Sequence, residues 1–138
     1  MLNVLLKPKT PHLYSLNTYL KRNEKEILMS KLVDNERAIV ELGLDLGEFI
    51  EFIGDLKEFF DECVPELGAY VEAKDFDGIK DRAHAINGAA ANLRFVGVAD
   101  IAFLLEKAGK ESNPDGIEEK FKELAECVTL SFEEVKDL

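Results

Sequence analysis

The chain contains no tryptophan, two cysteines, two histidines and no long apolar run. Cys63 and Cys127 form neither a CxxC pair nor a zinc-type spacing, and both occupy apolar positions of helical patterns, which predicts unreactive core thiols. No stretch approaches the roughly 18 apolar residues of a membrane span, and the opening MLNVLLKPKT has too short an apolar run for a signal peptide. We therefore expect a cytoplasmic protein without a membrane segment.

Basic residues are scarce: 17 Lys and Arg stand against 28 Asp and Glu, a formal net charge of -11. Such a balance argues against nucleic acid as a partner, because affinity for phosphate backbones comes from clustered Lys and Arg. The basic residues are also unevenly placed. Residues 1–33 carry six basic and two acidic side chains, which predicts a basic N-terminal extension, in part helical, ahead of an acidic domain at 34–138. We interpret the extension as an appendage packed on the acidic body, with a partner-docking arm as the alternative.

No run alternates with period two for long enough to predict a strand, whereas apolar residues recur at helical spacing throughout. Thr10-Pro11 predicts the start of a short helix, and Asp34 and Gly43 predict the cap and the end of another. A long amphipathic helix follows from about Leu46 to Ala73, with a bend expected before Pro65.

Three more helices are expected in the second half of the chain. Asp75 predicts an N-cap, and we expect that helix to end at Gly97 and the next to loosen at Gly109. Asn113 and Pro114 predict the start of the last helix, which runs nearly to the C-terminus. Long helices joined by short loops predict an all-α fold, an antiparallel up-down-up-down four-helix bundle with extra short N-terminal helices.

His84 lies in the helix that follows Asp75. At 100° per residue, the side of the helix that carries His84 also carries Lys80, Asn87, Gly88, Ala91 and Phe95. Ile79, Ile86 and Leu93 lie opposite and are expected to face the core. His84 is therefore predicted to project outward, with Gly88 and Ala91 removing bulk beside it. A glycine inside a helix costs about 1 kcal/mol relative to alanine, which suggests that Gly88 is retained for access to the imidazole.

An exposed imidazole suits reversible phosphoryl transfer, because neutral histidine is a good nucleophile near neutral pH. The charge of the transferred group has to be neutralised, normally by Mg²⁺ and cationic side chains. This chain contains no GxxxxGK[ST] loop and no glycine-rich nucleotide motif. A partner would have to supply most of the machinery.

The segment His84-Ala85-Ile86-Asn87-Gly88 resembles the histidine-containing phosphotransfer (HPt) family, whose motif is approximately H-x-[LI]-K-G followed by small residues and an apolar series. The likeness covers roughly the last hundred residues. It implies a helical bundle that accepts phosphate on His84 from the aspartate of a response-regulator receiver domain and passes it onward. It also implies receiver domains and a hybrid histidine kinase as partners, with Mg²⁺ held by the receiver and no cofactor in the chain itself.

Two residues depart from the family pattern: Asn87 stands where a lysine is usual, and Arg94 stands where a glycine is common. Asn87 can donate hydrogen bonds to a phosphoryl group but lacks charge. Lys80, one turn before His84, is our first candidate for the missing cation, and Arg94 is the second. The docking surface is expected to comprise Gly88, Ala91, Phe95 and Arg94.

Other interpretations remain open from the sequence. The asparagine at position 87 also fits an adaptor that binds a receiver or a histidine kinase without carrying phosphate. A purely structural bundle, in which His84 has no role, is a third interpretation. A metal site is the last, because Asp81-x-x-His84 is a single near match to the carboxylate-histidine pairs of metal-binding bundles. His12, the other histidine, lies in the irregular start and is interpreted as incidental.

Overall fold

The structure, a computed structural model, describes residues 32–138. Within this range the chain is all-helical and contains no strand. The described residues form five helices: α1 (Asn35–Leu42), α2 (Leu46–Ala73), α3 (Phe76–Asn92), α4 (Val96–Lys110) and α5 (Ile117–Val135). The predicted helix that starts at Thr10 lies outside the described residues.

The four longer helices form a closed ring. Consecutive helices pack against each other from α2 to α5, and α5 returns to contact α2. The loops that join them are short, so neighbouring helices run in opposite directions. This confirms the predicted four-helix bundle, with α1 as a short helix ahead of it. Helix α1 lies at the end of the bundle that carries the α3–α4 turn, where the Asp34 amide donates to the carbonyl of Arg94.

Local capping explains where α1 and α2 begin and end. The Asp34 carboxylate accepts from the Arg37 amide, and Gly43 ends α1 in the left-handed conformation at φ 68°. Asp45 and Glu48 form a reciprocal capping box at the start of α2. Helix α2 then continues through Pro65 to Ala73, as the periodicity predicted.

The core contains side chains from all five helices and from the segment before α1. The ring of Phe132 lies between those of Phe60 and Phe95, edge-on to the first and tilted to the second, with ring centroids 6.1 Å and 5.2 Å apart. Leu32 and Val33, which the sequence assigned to the N-terminal extension, are buried in the core. Their amides donate to the Glu134 carboxylate, which ties this segment to the end of α5.

Three predicted boundaries were wrong. Helix α3 ends at Asn92 rather than Gly97, which lies in the first turn of α4, where a Cβ would come within 2.8 Å of Cys127 Sγ. Gly109 is a buried packing position inside α4 and does not loosen its end. Helix α5 begins at Ile117 after Gly116, because the Asn113 side chain accepts from the Asp115 amide and closes a turn before the helix.

Candidate functional site

His84 lies in the middle of α3, on the side of the helix that faces away from the core. Its side chain is 72% exposed. The opposite side of the helix is fully buried and consists of Ile79, Ala83, Ile86 and Ala90. The predicted outward orientation of His84 is therefore confirmed for the part of the chain that the structure describes.

The imidazole is held by a carboxylate from the neighbouring helix. Nδ1 of His84 lies 3.0 Å from Oε2 of Glu106 in α4, whose side chain is only 10% exposed. An ionised carboxylate only accepts hydrogen bonds, so this contact places a proton on Nδ1. In the neutral ring the lone pair is then on Nε2, which has no hydrogen-bond partner among residues 32–138. The nucleophilic nitrogen is therefore the one left without a partner in this range.

Glycine brings α3 and α4 close enough for this contact. A Cβ at Gly109 would lie 2.7 Å from the backbone nitrogen of Lys80 and 2.9 Å from the carbonyl oxygen of Phe76. Only a residue without a side chain allows the two backbones to approach in this way. Because the helices are antiparallel, this register sets Glu106, one turn before Gly109, opposite His84, one turn after Lys80.

A cation lies beside the same carboxylate. Nζ of Lys110 is 3.5 Å from the Glu106 oxygen that contacts His84, and its side chain is 62% exposed. One carboxylate thus joins an imidazole and an ammonium group. Neither Glu106 nor Lys110 was predicted from the sequence. The sequence feature that could have pointed to them is an acidic residue within the apolar pattern of α4, followed by a lysine four residues later.

Lys80 is half-buried, one turn before His84 on α3. Asn87 is half-buried, and its Nδ2 donates to the carbonyl of Ala99 in α4 at 2.8 Å. One of the two amide protons of Asn87 therefore serves to fasten the helices together. The expected role of Asn87 beside a phosphoryl group stays a prediction.

Small residues surround the imidazole along α3. Gly88 and Ala91 are exposed. A Cβ built at Gly88 would meet no atom within 4 Å. The surface next to His84 is therefore open among the described residues, as the glycine predicted.

One of the predicted docking residues, Phe95, does not share this surface. The expectation that Phe95 lies beside His84 is wrong: its side chain is fully buried against Phe132. The helical wheel fails there because α3 ends at Asn92 and Phe95 is the N-cap of α4. Arg94 has a φ of 62°, and its guanidinium binds the Glu41 carboxylate and the carbonyl of Ala91.

Comparison with protein families identifies the chain. A family model described as Hpt domain matches residues 51–136, more than half of the sequence, and the match includes His84, Glu106 and Lys110. The chain belongs to the Hpt domain family. This family functions in phosphotransfer in two-component signalling. Comparison with curated proteins and with solved structures gave no significant match.

Within residues 32–138, no helix is both long and apolar enough to cross a membrane. No group of three or more His, Cys, Asp or Glu side chains in the same range is arranged to hold a metal ion. Asp81, the acid of the single carboxylate-histidine match, is exposed.

Proposed function

We propose that this Hpt domain is a phosphocarrier of a multistep phosphorelay, with His84 as the phosphoacceptor. The observation that carries the proposal is the exposed ring of His84, whose Nδ1 is bound to Glu106 and whose Nε2 has no partner among residues 32–138. This arrangement presents one nitrogen to a partner and fixes the orientation of the ring.

The proposed reaction is a reversible exchange between Nε2 and a receiver aspartate. Nε2 attacks the phosphorus of an aspartyl phosphate, the N–P bond forms, the P–O bond breaks, and the aspartate leaves as a carboxylate. The ring acquires positive charge as the bond forms, because Nδ1 keeps its proton. The carboxylate of Glu106, 3.0 Å away, would stabilise that charge. Attack by a second receiver aspartate on the phosphohistidine reverses these steps and passes the group on.

Two lysines among residues 32–138 would help to neutralise the charge of the transferred phosphoryl group. Lys110 lies against the Glu106 carboxylate at 3.5 Å, and Lys80 is on α3 one turn before His84. Phosphoryl transfer is catalysed mainly by positioning and charge neutralisation, so a cation near the ring compensates for the uncharged Asn87. Lys110→Ala and Lys80→Ala should each slow transfer, whereas Lys107→Ala on an exposed position of α4 serves as the control. Wild-type rates for both test variants would refute this role.

The partners in this proposal are the receiver domains of response regulators and a hybrid histidine kinase. The receiver would supply Mg²⁺ and the aspartate, since the proposed site of this chain provides only a nucleophile and cations. We expect the exchange to take place in the cytoplasm, and the docking surface to centre on Gly88 and Ala91.

Labelling tests the proposal directly. The full chain is incubated with a receiver domain carrying ³²P-aspartyl phosphate, and the label that moves to the chain is assayed for stability in acid and alkali. We expect an acid-labile, alkali-stable label on the wild type and on His12→Gln, and none on His84→Gln. Label on His84→Gln would refute the assignment of the site.

A second function is supported by one specific observation. Asn87 lacks charge, and its amide fastens α3 to Ala99, which fits an adaptor that binds a receiver or kinase without accepting phosphate. Binding of a receiver by calorimetry, together with absence of label on the wild type, would support the adaptor over the carrier.

A further inference from the structure

An apolar groove lies between the first half of α2 and the end of α3. It has a volume of about 450 Å³, and apolar side chains dominate its lining, among them Leu42, Leu44, Phe52, Phe59 and Leu93. Phe52 is 45% exposed and Leu42 is 40% exposed. Large apolar side chains left open to solvent in one place indicate an interaction site.

A row of carboxylates borders the groove. Glu51, Asp55, Glu58 and Glu62 recur along α2 at spacings of four, three and four residues, which places them on one flank of the helix. All four are exposed, and none forms an ion pair with another residue in the range 32–138. Asp55 lines the groove itself. The four carboxylates are called the acidic ridge below, and they select for a basic occupant.

The chain that precedes Leu32 joins the bundle at the end where the groove lies. Leu32 is fixed there, since its amide donates to Glu134 and its carbonyl accepts from the Gly97 amide. From that point α1 crosses toward the groove, which Leu42 at its end helps to line. Eight helical residues span about 12 Å, whereas six extended residues reach about 20 Å. A segment ending at residue 25 would therefore reach the groove through residues 26–31.

The sequence before Leu32 complements both features. Residues 1–31 contain six basic and two acidic side chains, whereas residues 32–138 contain eleven basic and twenty-six acidic ones. Leu13, Leu16, Tyr19 and Leu20 supply apolar groups at helical spacing, and Lys21, Arg22 and Lys25 follow directly. We propose that residues 13–25 bind in the groove of their own chain, with the apolar side chains in the groove and the cations on the acidic ridge.

The groove lies close to the helix position of His84, because Ala89 and Asn92, which line the groove, lie one to two turns beyond the histidine on the same helix. Tethering favours the internal contact, because a linker of this length gives an effective concentration on the order of millimolar.

A paramagnetic label tests the contact without requiring phosphate transfer. Cys63 and Cys127 are both buried, so a single thiol introduced by Thr18→Cys can be labelled selectively with a nitroxide. We expect selective broadening of the amide NMR signals of Phe52, Asp55 and Ala89 in the full chain, with Phe103 and Lys107 on α4 unaffected. Leu16→Asp in the same labelled protein should abolish the broadening.

Charge reversal on the ridge is the second arm. Replacing Glu51, Asp55 and Glu58 together by lysine should remove at least half of the broadening, whereas reversing Glu118, Glu126 and Glu133 on α5 should leave it unchanged. Three outcomes would overturn the proposal: no broadening at the groove, broadening insensitive to Leu16→Asp, or broadening transferred between labelled and isotope-enriched molecules in a mixed sample. The last outcome would assign the groove to a second copy. Because none of these measurements involves phosphate, failure here leaves the proposed function untouched, and the reverse also holds.

Discussion

Oε2 of Glu106 lies 3.0 Å from Nδ1 of His84 and joins an almost buried carboxylate to a mostly exposed imidazole. The contact fixes the ring orientation and stabilises the positive charge that would develop during phosphoryl transfer.

Glu106→Ala should slow phosphoryl acceptance from a receiver by about tenfold, because a charge-assisted hydrogen bond contributes about 1.5 kcal/mol or more and 1.4 kcal/mol is a factor of ten in rate. Glu106→Gln keeps an acceptor for the Nδ1 proton and should slow phosphoryl acceptance less than Glu106→Ala does. Rapid-quench measurement of the labelled chain gives both rates. Glu126→Ala, which removes an exposed acid from α5, is the control, and equal rates for Glu106→Ala and this control would contradict the positioning role.

Gly88→Gln should block transfer from a receiver while leaving the fold intact. No atom lies within 4 Å of a Cβ at this position, so the added side chain fits on the free protein and obstructs only a docked partner. Gly88→Ala should raise the free energy of unfolding by about 0.5–1 kcal/mol, since alanine is the better helix former. Phosphorylation by a small phosphoramidate donor, which needs no docking surface, should persist in both variants. Undiminished transfer from the receiver to Gly88→Gln would rule out docking over this glycine.

Gly109→Ala should lower the free energy of unfolding by about 1–3 kcal/mol, because the new methyl group would press on backbone atoms of Lys80 and Phe76 that cannot move aside. It should also slow transfer, since the same displacement separates Glu106 from His84. Gly54→Ala is the matched control: it lies inside α2 with no atom within 4 Å of a Cβ. That variant should be more stable than the wild type in urea. A Gly109→Ala protein of unchanged stability would show that the close helix approach is not required.

Burial raises the pKa of the Cys127 thiol from 9.0 to about 12. The unfolded state loses this proton at a lower pH than the folded state, so the thiol's contribution to stability is complete below about pH 9 and declines as the pH rises toward 12. Between these values, we expect the free energy of unfolding to fall by about 1.4 kcal/mol per pH unit on this account. Urea titrations at pH 8 to 11 measure the slope. Cys127→Ala, although less stable, should show a shallower decline, and identical slopes would contradict the assignment.

The bundle was predictable because it depends on long periodic patterns. The 28 residues of α2 keep one apolar stripe, and its predicted bounds agree with the structure. Shorter features depended on contacts between distant residues. Gly97 and Gly109 resembled helix ends in the sequence, yet both are glycine because neighbouring atoms leave no room for a side chain.

The candidate site was predictable only in part, for the same reason. The exposure of His84 followed from the periodicity of its own helix, whereas Glu106 and Lys110 come from α4 and depend on the register between two helices. The error at Phe95 arose because a helical wheel was extended past Asn92, where the helix ends. Arg94 has a positive φ of 62°, which glycine adopts more readily than other residues, and this explains why glycine suits the position. The ion pair with Glu41 helps to stabilise the arginine there.

The most direct test of the account is to locate the phosphoryl group after transfer from a phosphorylated receiver. In the ¹⁵N-histidine-labelled chain, the scalar coupling between ³¹P and ring nitrogen identifies the modified atom. We predict coupling to Nε2 of His84, with Nδ1 still protonated. A phosphoryl group on Nδ1, on His12 or on no histidine would overturn the proposed assignment.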